Sequence, residues 1–258
     1  MSTVEQQRVA VITGASSGIG AELARALAGR GWHCVLLARR EERLRALADE
    51  IGGEVEVCDV SDRGAVEEVA GRVLERHPRL HLLVNNAGAP ARATFLEGDP
   101  DAIESVIRTN YLGSVWCLRA FLPGLEAAAP SDVVNIVSVA GVVALPASGP
   151  YAASKHAQLA FSRSVAAQLR SRRIRVHTVK PGFVETEGFP QGWLPGPARR
   201  IVIGPEEIAA HVLTSLDRGR GETTVPWFYA PLGVLQALMP NVMARVLARS
   251  GRGSTIRH

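Results

Sequence analysis

The amino-acid sequence predicts an α/β fold: a doubly wound, seven-stranded parallel sheet with helices on both faces. Three observations carry this. Short apolar runs alternate with longer amphipathic segments along most of the chain. A glycine-rich turn follows the first apolar run and opens the first helical segment. The 258 residues are 47% hydrophobic and 21% charged, enough for one sizeable core. Buried strands separated by helices pair in parallel, because each right-handed crossover needs a helix.

In chain order, residues 8–13 (RVAVIT) read as a buried strand and 20–30 as a helix. Residues 33–38 (HCVLLA) form the second strand, and 41–50 a charged helix with Leu44 and Leu47 at helical spacing. Strands follow at 54–58 and 80–84, with a helix at 63–75 between them. A helix over 101–122 precedes a fifth strand at 133–137, and one over 151–169 precedes a sixth at 174–179. A short seventh strand is expected at 223–225. Residues 1–229 make one domain, and 230–258 a helical extension of that domain or an interface.

Composition excludes several classes. The net charge of +4, from 29 basic and 25 acidic residues, is spread along the chain, and no nucleic-acid-binding motif accompanies it. Residues 1–8 are polar, with no targeting segment, and no apolar run reaches the length of a bilayer span. A cytoplasmic location is the expectation. Cys34, Cys58 and Cys117 are widely spaced, which points to reduced thiols and no metal site.

Two motifs carry chemistry. In Thr13-Gly14-Ala15-Ser16-Ser17-Gly18-Ile19-Gly20, Gly14 permits a tight turn, Gly18 lets backbone approach a pyrophosphate, and Gly20 allows close helix–sheet packing. The helix N-terminus then offers free N–H groups to phosphates, the dinucleotide-binding (Rossmann) arrangement. In Tyr151-Ala-Ala-Ser-Lys155, a spacing of four places phenol and ammonium on one helix face. A nearby ammonium favours the phenolate, so the phenol pKa is expected to fall from about 10 and allow proton transfer to a carbonyl. The chain holds 27 Arg and only two Lys, yet keeps Lys at 155.

With Asn85-Asn86-Ala87-Gly88 ending the fourth strand, Asn110 in the next helix, Ser138 thirteen residues before Tyr151, and Pro181-Gly182 after the sixth strand, the chain closely resembles the short-chain dehydrogenase/reductase family, in its compact single-domain branch. The resemblance implies Tyr151 as general acid or base, Ser138 on the substrate carbonyl, Lys155 on the ribose and phenol, and Asn110 holding a relay water. Asn86, Ala87 and Gly88 would line the cofactor cleft together with Val184; Thr186 would meet the carboxamide, and Asp59 with Val60 the adenine. It also implies a homodimer or homotetramer.

The second strand ends Leu37-Ala38-Arg39-Arg40, without the carboxylate that grips a ribose 2′-OH. Guanidinium groups there suit a 2′-phosphate, so NADP(H) is expected over NAD(H), although Ser17 stands where many family members carry a basic residue in the turn. Residues 187–200 occupy the family's substrate loop, where Phe189, Trp193 and Leu194 imply an apolar wall and a lipophilic alcohol or ketone. The four-residue Tyr–Lys step disfavours enoyl reduction, and the ending past Val225 departs from β-ketoacyl carrier reductases. Leu235, Leu238, Met239, Val242, Met243 and Val246 form a helical stripe interrupted by Pro240. Core or subunit interface is the leading reading. A lid, or a peripheral membrane contact aided by Arg245, Arg249 and Arg252, is the alternative. The expected function is an NADP(H)-dependent carbonyl reductase or alcohol dehydrogenase; the rivals are a non-catalytic dinucleotide sensor and a nucleic-acid binder.

Overall fold

Residues 7–91, 94–192 and 196–251 are described by a computed structural model. Seven strands, β1 (Val9–Thr13), β2 (His33–Ala38), β3 (Glu54–Val57), β4 (Leu82–Asn85), β5 (Ser131–Ile136), β6 (Ile174–Pro181) and β7 (Glu222–Val225), form one sheet in the order 3-2-1-4-5-6-7. Every neighbouring pair is parallel. Strand order reverses between β1 and β4, and such a switch point opens a crevice at the carboxyl ends of the strands.

Residues alternate between the faces. Ala10, Ile12, Leu36 and Val84 point to one layer, where α1 (Gly18–Ala28), α2 (Glu41–Ile51) and α7 (Pro205–Arg218) pack. Val11, Val35, Leu37 and Leu83 point to the other, against α3 (Arg63–Arg76), α5 (Gly113–Ala128) and α6 (Gly149–Leu169). Side chains such as Ile12, Leu36 and Leu83 are fully buried, each contributing about 1.5–3 kcal/mol.

The expected helix over 101–122 is two helices, α4 (Pro100–Ile107) and α5, joined by one widened π turn, Arg108–Leu112. That turn brings Asn110 inward, fully buried. Helix α7 has no counterpart in the sequence reading, although Pro205 at its start, Gly219 at its end in the left-handed conformation, and apolar Ile208, Ala209, Val212 and Leu213 all mark it. The tail forms α8 (Ala230–Leu238) and α9 (Pro240–Gly251). Of its six stripe residues only Met243 is buried, so most of the stripe is not core within this chain.

Helix α6 is fixed to the sheet by a buried polar chain. Asn85 Nδ2 donates to Asn135 Oδ1 at 2.8 Å, Asn135 Nδ2 to Ser162 Oγ at 2.7 Å, and the Ser162 and Thr178 hydroxyls share a bond of 2.6 Å. Because the donors and acceptors match across β4, β5, α6 and β6, this chain sets the height of α6 above the sheet.

The glycine turn is equally constrained. A Cβ on Gly20 would lie 2.5 Å from the Gly14 carbonyl oxygen and 2.5 Å from Asn86 Nδ2. Gly20→Ala is therefore expected to destabilise the fold by about 1–3 kcal/mol, as overpacking does. Thermal unfolding would show this as a midpoint several degrees lower, and an unchanged midpoint would contradict the packing described.

Candidate active site

The cleft opens above the carboxyl ends of β1, β4, β5 and β6 and encloses about 420 Å³. Its floor begins at the glycine turn. Gly14 has φ +67°, and a Cβ there would lie 2.8 Å from Ala87 Cα. The Thr13 hydroxyl donates to the Val84 carbonyl at 3.0 Å and accepts from the Asn86 and Ala87 N–H groups at 3.0 and 3.1 Å. Asn86 Nδ2 donates back to the Thr13 and Gly14 carbonyls. The turn and the end of β4 are thus one unit. Gly18, φ +56°, faces the Thr186 side chain across the cleft, with 3.1 Å left for a Cβ. Ser17 caps α1 without a side-chain bond, and no acidic residue lies in the first turn, so the positive helix end is free for an anion.

The opposite end of the cleft holds Ser138, just after β5, and Tyr151 and Lys155 on α6. Ser138 Oγ accepts from the Ala140 N–H at 3.1 Å, and the Ser138 side chain acts on Tyr151 in the direction that favours the phenolate. Lys155 is buried, and its Nζ donates to the Ile136 carbonyl at 3.1 Å and to Gln158 Oε1 at 2.7 Å. It lies 5.9 Å from the centre of the Tyr151 ring. The Phe189 ring, on the loop after β6, stands 5.5 Å from that of Tyr151.

The near end of the cleft is basic. Arg40, after β2, donates to Ser16 Oγ at 3.2 and 3.0 Å, to Ser17 Oγ at 2.6 Å and to Glu187 at 2.9 Å. Arg43 also pairs with Glu187. Arg39 projects into solvent, with Asp59 3.6 Å away. Burial of the Asp59 carboxyl is outweighed by the Ser61 N–H and hydroxyl and by Arg39, which hold it below the ordinary carboxylate range.

A family model, "short chain dehydrogenase", matches residues 8–191. The Xenopus laevis protein named "Dehydrogenase/reductase SDR family member 7B" is 32% identical over 97% of this chain and 84% of its own. The chain belongs to the short-chain dehydrogenase/reductase family. Among solved structures, a short-chain dehydrogenase from Burkholderia cenocepacia in complex with NADP superposes with a TM-score of 0.80 at 29% identity, covering 93% of this chain and 97% of that one. A family member from Burkholderia phymatum in complex with NAD gives 0.79 at 27% identity, covering 92% and 95%.

Most residues expected from the sequence of this short-chain dehydrogenase/reductase meet at the cleft. Gly14, Ser16 to Ile19, Arg39, Arg40, Asp59, Val60, Asn86 to Gly88, Ser138, Tyr151, Lys155, Pro181, Gly182, Val184, Thr186 and Phe189 all line it. Gly20 and Asn110 lie behind the lining; Trp193 and Leu194 fall outside the described residues. Asn110 is committed at both ends of its amide: Oδ1 accepts from the Ala89 N–H at 2.7 Å, and Nδ2 donates to the Ala89 carbonyl and to Ser154 Oγ. A relay water is therefore left only its main-chain carbonyl, which already accepts from the Ser114 hydroxyl.

Two groups escaped the sequence reading. Gln158 sits one turn beyond Lys155, fully buried, and passes its amide donor to Ser114 Oγ at 2.9 Å. Its position three residues after Lys155 was the available signal. Glu187 reaches Arg40 from 147 residues away, and no local pattern marks such a pair.

The expected fall of the Tyr151 pKa is not what this site gives. Burial pushes the phenol up to about 12, offset only in part by Ser138, and burial drives the Lys155 ammonium down to about 7. Desolvation outweighs the attraction that spacing alone suggested. The folded-state value of Lys155 lies below that of the unfolded chain, near 10.5. Between those values the unfolded chain holds the extra proton, so this group makes stability rise with pH. The stability of the wild type relative to Lys155→Met is expected to increase from pH 7 to pH 10 in thermal unfolding. A constant difference would show an ammonium that stays charged throughout.

Proposed function

We propose that this short-chain dehydrogenase/reductase is an NADP(H)-dependent carbonyl reductase or alcohol dehydrogenase acting on a lipophilic ketone, aldehyde or alcohol. One observation carries the reading: Ser138, Tyr151 and Lys155 line the same end of the cleft, with the Lys155 amine 5.9 Å from the centre of the phenol ring. Two hydroxyl groups lining one end of a cleft suit a single carbonyl oxygen.

The residues fit a dinucleotide. The uncapped start of α1 and the backbone of the glycine turn would take the pyrophosphate, and Lys155 the nicotinamide ribose. The solved relatives named above hold NADP and NAD, in keeping with a nicotinamide cofactor. When bound, the nicotinamide supplies or accepts the hydride. The chain's own groups manage the oxygen and its proton. Tyr151, held protonated by burial, donates to the oxygen on reduction and takes the proton back on oxidation. Ser138 donates a hydrogen bond to the same oxygen and stabilises the developing charge. Asn110 positions the site by clamping Ala89, beyond β4, to Ser154 on α6.

The basic end supports NADP(H). Among the described residues Arg39 has no ion-pair partner closer than Asp59, and Arg40 is held onto the serines of the turn. The cationic group that the turn itself lacks at Ser17 is thus supplied by Arg40. A 2′-phosphate would exchange Glu187 for itself on Arg40, through charge-assisted paired bonds. Phe189 packed on Tyr151 supports an apolar substrate.

Tyr151→Phe is expected to lower turnover by about 10²–10⁴-fold, the usual share of general acid catalysis, with cofactor affinity retained. Nicotinamide absorbance over a ketone and alcohol panel reads the first, and cofactor titration the second. Retained turnover would remove Tyr151 from the chemistry. Arg39→Asp should weaken NADP(H) by roughly ten- to a hundredfold, since a bond to a charged group is lost and a repulsion added. KM for each cofactor in turn reads this, and an unchanged preference would overturn the 2′-phosphate assignment.

A further inference from the structure

Helix α8 is amphipathic in the reverse sense. Its inward positions are the polar or small Gln236 and Gly233: Gln236 Oε1 accepts from the Ala144 N–H at 3.4 Å, and a Cβ on Gly233 would lie 3.0 Å from Val142. Its outward positions are apolar, with Leu238 76% exposed and, in the turn just before it, Trp227 78% exposed. Helix α9 buries Met243 and exposes Val242 and Val246. Among the described residues twelve large apolar side chains are exposed, and nine of them lie in 227–246. The two helices bend by 114°, and among the described residues no single helix is long and apolar enough to cross a membrane.

Charge decides what this surface meets. Residues 226–258 contain no Asp or Glu, yet carry Arg245, Arg249, Arg252 and Arg257, in a chain with 25 acidic residues elsewhere. An apolar face joined to an unopposed basic stretch matches a bilayer interface bearing anionic headgroups. Two copies of the same stretch would instead bring like charges together. The patch also touches the catalytic region: α8 rests on Val142 and Ala144, in the segment joining Ser138 to Tyr151. Phe95, exposed on the loop before α4, lies beside Gly149 at the start of α6.

We infer that α8 and α9 dock this protein on an anionic membrane surface and that its carbonyl substrate is taken from that bilayer. The second half rests on the lipophilic-substrate reading above; the docking does not. Trp227, Leu238 and Val242 enter the acyl boundary, while Arg245 stays at headgroup level.

The test is flotation of the full chain with vesicles of phosphatidylcholine alone, or with one-quarter phosphatidylserine, together with sizing in vesicle-free buffer. The wild type is expected to float with the anionic vesicles and to be released by salt. Leu238→Ser should lower the partition coefficient by roughly tenfold or more, for one buried leucine. Arg245→Gln should lower it by roughly fivefold, for one interfacial charge. Both variants keep turnover of a short, water-soluble aldehyde, and lose it selectively on a long-chain ketone dissolved in the vesicles. Tyr151→Phe floats as the wild type does while turnover falls, so docking and catalysis fail separately. A wild type that stays at the bottom of the gradient overturns the docking. If Leu238→Ser then turns a dimer into a monomer, a second copy covers the patch. Flotation with equal turnover of the vesicle-borne ketone by wild type and Leu238→Ser overturns the delivery alone.

Discussion

The close approach of the glycine turn to the end of β4 is the constraint on which the rest of the structure depends. The Thr13 hydroxyl serves three partners, and Asn86 returns its amide to the Thr13 and Gly14 carbonyls. Both residues sit beside the strand reversal, where β1 and β4 would otherwise part around an open crevice. Only glycine at 14 and 20 leaves room for this. The result is a rigid lip that keeps the start of α1 uncapped and turned toward the cleft. Anion binding at a helix N-terminus gains most when no reorganisation precedes it.

Helix α6 answers that lip from the other side. It buries four polar groups, with Ser154, Lys155, Gln158 and Ser162 all inward. Each is satisfied: Ser154 by Asn110, Lys155 by Ile136 and Gln158, Gln158 by Ser114, Ser162 by Asn135 and Thr178. A buried polar face costs little when every member is paired, and it then specifies one position far more sharply than apolar packing does. Helix α8 is the counterpart, with its apolar residues outward. Both depart from the rule that amphipathic helices turn their apolar face to the core, and both adjoin the segment joining Ser138 to Tyr151.

Much of this was legible in the sequence because it is local. The glycine turn, the Tyr151–Lys155 step and the alternation of strands and helices are set by neighbours within a few residues, where spacing and chain geometry suffice. Arg39 and Arg40 were legible for the same reason. The helix over 101–122 was not read correctly, because a π turn is chosen by what its inward residue must reach, and Asn110 reaches Ala89 and Ser154. The apolar stripe after Pro231 left core, interface, lid and membrane contact all open, since periodicity shows that a face exists without showing which way it points.

The sequence by itself determined the fold class, the strand order's parallel character, the glycine turn and the Tyr151–Lys155 step, because these follow from periodicity and from residues adjacent in the chain; the other cleft residues were implied by the family resemblance. Tertiary structure alone decided the electrostatics. The burial that opposes charge on Tyr151 and Lys155 is a property of what surrounds them, residues distant in the chain such as Ile136 beside Lys155 and Phe189 beside Tyr151. The pairing of Arg40 with Glu187 and the outward face of α8 were decided there too, since each depends on segments far apart in the chain being brought to one place.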